Sequence, residues 1–189
     1  LVVGTTDADG RNGAMIELVC ETDFVARNED FVAAADALLA QALAAAPMSL
    51  ADFLAQPAEG GTVADWVKTL SGKTGESVAL RHVARFAAGA TGTVGLYQHF
   101  NKQVGVLVEL SSNETAARST AAADLAREIA LHIASADPIA VRPEDIPAEV
   151  IDRERRIAEE QVVQEGKPEA VRGKIVEGKI RKFIAERTL

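Results

Sequence analysis

Apolar and polar positions along the chain fall into a recurring order. Val3-Gly4 opens a short apolar run, a polar turn follows from Asp7 to Asn12, and Gly13-Ala-Met-Ile-Glu17-Leu18 forms a second run. Two brief apolar segments around a turn cluster predict a β-hairpin. The arrangement returns at Val94-Gly95, with a turn from Gln98 to Gln103 and a second run from Gly105 to Leu110. An alanine-rich helix follows each hairpin. Ala33 to Ala46 is interrupted by Asp36 and Gln41, which suits a buried amphipathic helix, and the second helix runs from an Asn113 cap to Ala136. Each helix carries an Ala-Ala-Asp string, at Ala34-Ala35-Asp36 and at Ala122-Ala123-Asp124. Two copies are too few for a solenoid and predict a pair of related subdomains.

Between the copies the pattern predicts a short helix around Leu50 to Leu54, followed by a segment from Thr62 to Leu70 that contains Trp66. A strand follows over Ser77 to Ala87, where Val78, Leu80, His82, Ala84 and Phe86 alternate. Pro57 and Gly60-Gly61 mark a connection, and Gly89 to Gly92 close the first half. Asp137-Pro138 ends the second long helix, and Ile139 to Ile146 reads as extended. Beyond Pro147 the chain turns charged and helix-favouring, over Ala148 to Glu165 and Glu169 to Arg187. Gly166-Lys167-Pro168 between them supplies a helix-ending glycine and a helix-starting proline. The first of these helices is rich in acids and the second in bases. Narrow apolar stripes (Val150-Ile151, Ile157-Ala158 and Val162; Val171, Ile175, Ile180 and Phe183-Ile184) predict a protruding antiparallel helical hairpin. The expected fold is α+β, with subdomains over 1–92 and 93–142 and an arm over 143–189.

Composition narrows the function classes. A 189-residue chain with 48% hydrophobic residues can bury a sizeable core, and with aromatics at 4% aliphatic side chains must fill it. No apolar run approaches the roughly 20 residues that span a bilayer, so a membrane role is not expected. A net charge of −8 argues against direct nucleic-acid binding, which draws on basic surface. The single cysteine, Cys20, leaves no intramolecular disulfide and suits a reducing, cytoplasmic setting. His82, His99 and His132 are too scattered for metal-ligand spacing, so neither metal nor cofactor is expected. With no initiator methionine and no signal-peptide pattern, the chain reads as an internal portion of a longer protein.

One segment stands apart. The first hairpin runs through Cys20 into Glu21-Thr22-Asp23-Phe24-Val25-Ala26-Arg27-Asn28-Glu29-Asp30-Phe31. Thr22 or Asp23 suits a helix N-cap, and an acid there complements the helix dipole. Phe24 then falls in the first turn of the helix, at the strand-to-helix corner. Aligned on the Ala-Ala-Asp strings, the second half is four residues shorter here and lacks a counterpart. Taken alone, an Asp-Phe pair is more often a cap beside a core aromatic.

The longer string from Glu17 to Phe31 resembles the signature of the translation elongation factor Ts family. Val94-Gly95-Leu-Tyr97-Gln98-His99, Val104-Gly105-Val-Leu-Val108 and Ile129-Ala-Leu-His132-Ile-Ala134 resemble further family segments in the same order, and Lys167-Pro168 and Val176-Glu177-Gly178-Lys179 fall where that family has its coiled-coil arm. The resemblance implies a non-enzymatic guanine nucleotide exchange factor for elongation factor Tu, touching its nucleotide domain and the neighbouring domain. It implies that Thr22, Asp23, Phe24 and Val25 form the exchange tip. In this reading Phe24 wedges between partner helices and Asp23 disturbs the Mg²⁺ site. Val104, Gly105 and His132 would approach the partner from the second half. Family members carry a ubiquitin-associated-like helical domain before the first residue here and a short module after the arm, so weaker partner binding is expected. Two rivals remain. A Cys20-nucleophile enzyme lacks any accompanying oxyanion or cysteine–histidine motif, and a non-exchanging scaffold would oligomerise, as a homodimer for example, through the arm.

Overall fold

The computed structural model describes residues 1–189, which form two compact units, Leu1–Ala134 and Ser135–Leu189. The first unit is built on a three-stranded antiparallel sheet in the order β1 (Val2–Thr6), β2 (Asn12–Val19) and β5 (Ala79–Ala87). Alternation in β2 sends Ala14, Ile16 and Leu18 into the core. There they meet α2 (Glu29–Ala45), whose Phe31, Ala35, Leu38 and Ala42 recur at helical spacing and are fully buried. Asn28 caps α2 by accepting from the Asp30 and Phe31 amides at 2.9 and 3.4 Å. The helix α3 (Leu50–Ala55) adds the buried Phe53, and the two-residue strands β3 (Pro57–Ala58) and β4 (Gly61–Thr62) lead into α4 (Val63–Thr74). A reciprocal Thr62–Asp65 capping box starts α4, and Gly75 in the left-handed region (φ 73°) ends it.

The second hairpin, β6 (Gly92–Gln98) with β7 (Gly105–Ser111), forms its own two-stranded sheet. One face lies on the first sheet. A Cβ placed on Gly105 would come within 2.8 Å of the Val2 and Met15 side chains, so the two sheets meet closely here and these side chains would have to shift to admit one. The other face carries a long helix even more tightly, since a Cβ on Gly95 would sit 2.4 Å from the Ala126 carbonyl carbon.

The expected continuous helix from Asn113 to Ala136 is two helices, α5 (Glu114–Ala117) and α6 (Thr120–Ala136). The break has a local cause. Asn113 caps the first helix, while the Ser119 hydroxyl donates to the Ala116 carbonyl at 2.6 Å and accepts from the Ala122 amide at 3.1 Å. The same break occurs in the first half, where α1 (Asp23–Ala26), capped by Thr22, precedes α2. At a constant spacing Asp23 matches Glu114, Glu29 matches Thr120, and Ala45 matches Ala136. The left-handed residues beyond, Ala46 (φ 50°) and Asp137 (φ 48°), match as well. Even the ion pairs repeat, Asp23–Arg27 at 3.0 Å and Glu114–Arg118 at 2.8 Å. The corner therefore does have a counterpart in the second half. The Ala-Ala-Asp strings are out of step, because the true partners of the buried Ala35 and Leu39 are Ala126 and Ala130. Alanine runs carry too little side-chain information to fix a register.

The second unit is an antiparallel helical hairpin of α7 (Ala148–Gln164) and α8 (Glu169–Arg187), turning at Gly166 (φ 68°) and Pro168. Ala158, Val162, Val176 and Ile180 are buried between the helices, with Ile151, Ile175 and Ile184 packed beside them. Ile157 and Val171, expected in the seam, point outward. Ion pairs join the helices in both senses: Lys179 of α8 reaches Glu165 at 3.5 Å, whereas Arg155 of the acid-rich α7 holds Glu177 of α8. The segment expected to be extended contains a 3-10 turn, Pro143–Asp145, and Ala140 forms a parallel bridge with Thr188. No helix is long and apolar enough to cross a membrane.

Candidate functional site

The corner between β2 and α1 is an exposed feature of the first unit held by hydrogen bonds. Thr22 is the N-cap: its hydroxyl oxygen accepts from the Val25 amide at 3.4 Å. Asp23 falls in the first helical turn, where its charge complements the positive end of the helix dipole, and pairs with Arg27 in open solvent. Phe24 is 83% exposed. The reading of Phe24 as a core aromatic is thereby excluded, since the core position nearby belongs to Phe31, which is 0% exposed. A shallow depression lined by Phe24, Val25, Asn28, Phe31, Leu70 and Lys73 lies beside the tip.

The corner is tied to the loop between α4 and β5. One Glu76 carboxylate oxygen accepts from the Glu21 and Thr22 amides, each at 3.0 Å, and the other accepts from the Thr22 hydroxyl. In return, Glu21 accepts from the Ser77 amide at 3.1 Å. Donation by the Thr22 hydroxyl, assisted by the two amides, holds the Glu76 carboxyl below the usual carboxylate range. Cys20 points its thiol at the Thr22 carbonyl at 3.3 Å. Burial, with the Glu76 charge nearby, pushes the Cys20 thiol up, the opposite of what an activated nucleophile requires.

Strand directions place the remaining expected residues. The Leu1 ammonium donates to the Leu18 carbonyl at 2.6 Å, and the Val2 amide donates to the Lys102 carbonyl at 2.7 Å. The β6–β7 turn therefore lies at the end of the sheets where β2 stops. Val104 is partly exposed there beside Gly105. Helix α6 starts from the opposite end, where Arg118 shares a depression with Ala8, Asp9 and Arg11 of the first hairpin turn. It crosses Gly95 at Ala126 and carries the exposed His132 about 9 Å further along its axis, toward the Phe24 end. The fold thus directs all seven expected residues toward one end of the unit, although Gly105 also packs closely on Val2 and Met15. His82 bonds Glu17 at 2.6 Å on the open sheet face.

Two features at this end escape sequence reasoning. Phe100 is 89% exposed at the β6–β7 turn and lies 4.5 Å, centroid to centroid, from the His99 ring, which in turn meets the Tyr97 hydroxyl at 2.7 Å. An aromatic directly after a strand reads as core until the turn places it outside. Glu76 is the other, and its separation of more than fifty residues from the corner leaves no local signal.

The family model described as Elongation factor TS matches residues 21–189. The chain is 38% identical over 189 residues to the Elongation factor Ts of Thioalkalivibrio sulfidiphilus, covering 100% of this chain and 61% of that protein. It is 42% identical over 194 residues to the protein of that name from Streptomyces avermitilis, covering 100% of this chain and 66% of the relative. The chain thus spans less than two thirds of the length of these relatives. With a family match that takes in the corner, the second hairpin and the helical hairpin together, this chain belongs to the elongation factor Ts family.

Proposed function

We propose that this chain is a guanine nucleotide exchange factor for elongation factor Tu, promoting GDP release during translation elongation in the cytoplasm. The observation that carries the reading is the 83% exposure of Phe24 on a corner pinned by hydrogen bonds. A large apolar side chain held in water on an ordered element has its burial free energy still to gain, and it gains it on a partner.

The action requires no covalent chemistry. GDP is held in a GTPase by a phosphate-binding loop and Mg²⁺. A protein that binds the nucleotide-free shape more tightly than the GDP-bound shape lowers GDP affinity by the same factor that GDP lowers its own. Phe24 supplies apolar burial between helices of the partner's nucleotide domain. Asp23 brings a carboxylate toward the Mg²⁺ site, and its ion pair with Arg27, exposed on both sides, opposes that move weakly. Val104, Gly105 and His132 extend the surface from the second half. The test is release of labelled GDP from elongation factor Tu. The double variant Asp23→Ala/Phe24→Ala should keep the fold and lose most of the stimulation, and an unchanged release rate would refute the assignment.

A second reading, a non-exchanging scaffold that oligomerises through the helical hairpin, draws on the outward-facing Ile157, Val163 and Val171. The seam of that hairpin is already filled by its own residues, which leaves little demand for a second copy. Light scattering of the chain alone and with elongation factor Tu separates the two readings.

A further inference from the structure

We infer that Glu76 is a positioning residue for the exchange tip, acting from another segment of the chain by fixing the corner that presents Asp23 and Phe24. The inference rests on the exchange reading above and adds a residue to it.

Three donors converge on this one carboxylate, the Glu21 amide, the Thr22 amide and the Thr22 hydroxyl. A threonine hydroxyl has a single proton. By giving it to Glu76, Thr22 turns its lone pairs toward the start of α1, where the Val25 amide donates. The carboxylate thus fixes the side chain that caps the helix carrying Phe24. The reciprocal Glu21–Ser77 bond closes the connection from the other side. Both amides are the last of the chain before the helix begins, so the backbone at the tip has little freedom left.

The fold itself does not need this carboxylate. The equivalent corner of the second half, Asn113 before Glu114–Ala117, forms the same short helix and the same ion pair. Its cap rests on Asn113 alone, accepting from the Ala116 amide at 2.9 Å. What differs is the side chain presented: Phe24 occupies the second helical position in one corner and Thr115 in the other. The corner with the exposed aromatic is the one that is clamped. Glu21 and Thr22 are exposed, so water can replace the lost bonds if Glu76 is removed. The loss then falls on the orientation of the tip, while the fold persists.

The experiment measures fluorescent-GDP release from elongation factor Tu over a range of factor concentrations. It compares the full chain with Glu76→Ala, Glu76→Gln and Phe24→Ala, with a melting temperature for each. Losing preorganisation should cut the maximal release rate of Glu76→Ala about five-fold or more, with the half-saturating concentration changed less than about two-fold. Its melting temperature should stay within about 3 °C of the parent. Glu76→Gln keeps a carbonyl oxygen that can accept both amides and should recover most of the rate. If Phe24→Ala is impaired while Glu76→Ala matches the parent, the positioning role is overturned and the exchange reading stands. A rate loss that tracks a large fall in melting temperature, without recovery in Glu76→Gln, would also overturn it by showing a purely structural role. If the parent chain fails to accelerate release, the exchange reading falls and the role of Glu76 in it falls too.

Discussion

Replacing Phe24 by alanine separates stability from function, because in the free protein the side chain is 83% exposed. Full burial of a phenylalanine side chain stabilises by about 1.5–3 kcal/mol. Since little of that is realised in the free chain, roughly four fifths of it, about 1.2–2.5 kcal/mol, remains to be gained on a partner. Lost from the nucleotide-free complex alone, this corresponds to a drop of about eight- to seventy-fold in coupling to GDP release. The fold should hardly notice, with a change within about 0.5 kcal/mol. Phe31, at 0% exposure in the same segment, is the internal control, and Phe31→Ala should cost about 3–5 kcal/mol in urea unfolding. The assay pairs that unfolding measurement with dissociation of labelled GDP. If Phe24→Ala unfolded markedly earlier while its exchange activity matched the parent, the division between an aromatic for the core and an aromatic for the partner would be refuted.

Two further predictions concern the scaffold. Gly95→Ala forces a methyl group toward the Ala126 backbone at 2.4 Å and should destabilise the first unit by about 3 kcal/mol, since neither backbone can yield cheaply; an unchanged urea midpoint would contradict the packing described. Asp65 accepts the Thr62 hydroxyl at 2.7 Å and the Thr62 amide at 3.0 Å, and these bonds hold its carboxyl below its ordinary value of 3.8. A depressed carboxyl adds stability above its unfolded value and loses it as pH falls through the folded value. Asp65→Asn should therefore melt below the parent at neutral pH, and the difference should shrink as pH falls below 3.8, as measured by circular dichroism.

Much of the fold is legible in the sequence because its signals are local. Gly166 and Pro168 stop one helix and start the next whatever surrounds them, and the alternation of Ala79–Ala87 announces a strand. What the sequence hides depends on partners far along the chain. The register of the two halves is carried by which alanines are buried, Ala35 and Ala126, and identical alanine strings elsewhere are misleading. The interruption at Ser119 turns on one hydroxyl serving two backbone groups. At the site, the string around Thr22-Asp23-Phe24-Val25 is recognisable, but its rigidity is not, because Glu76 arrives from beyond α4. The separation of Phe24 from Phe31 also eludes pattern reading, since each lies in the first turn of a helix, α1 and α2, and only packing sends one inward and the other out.

The most direct test of the central claim is the release of labelled GDP from purified elongation factor Tu, with and without this chain. The account predicts a release rate that rises with added chain and saturates, with most of the rise lost in the Asp23→Ala/Phe24→Ala variant. A release rate that stays at its spontaneous value at every concentration of the parent chain would contradict it.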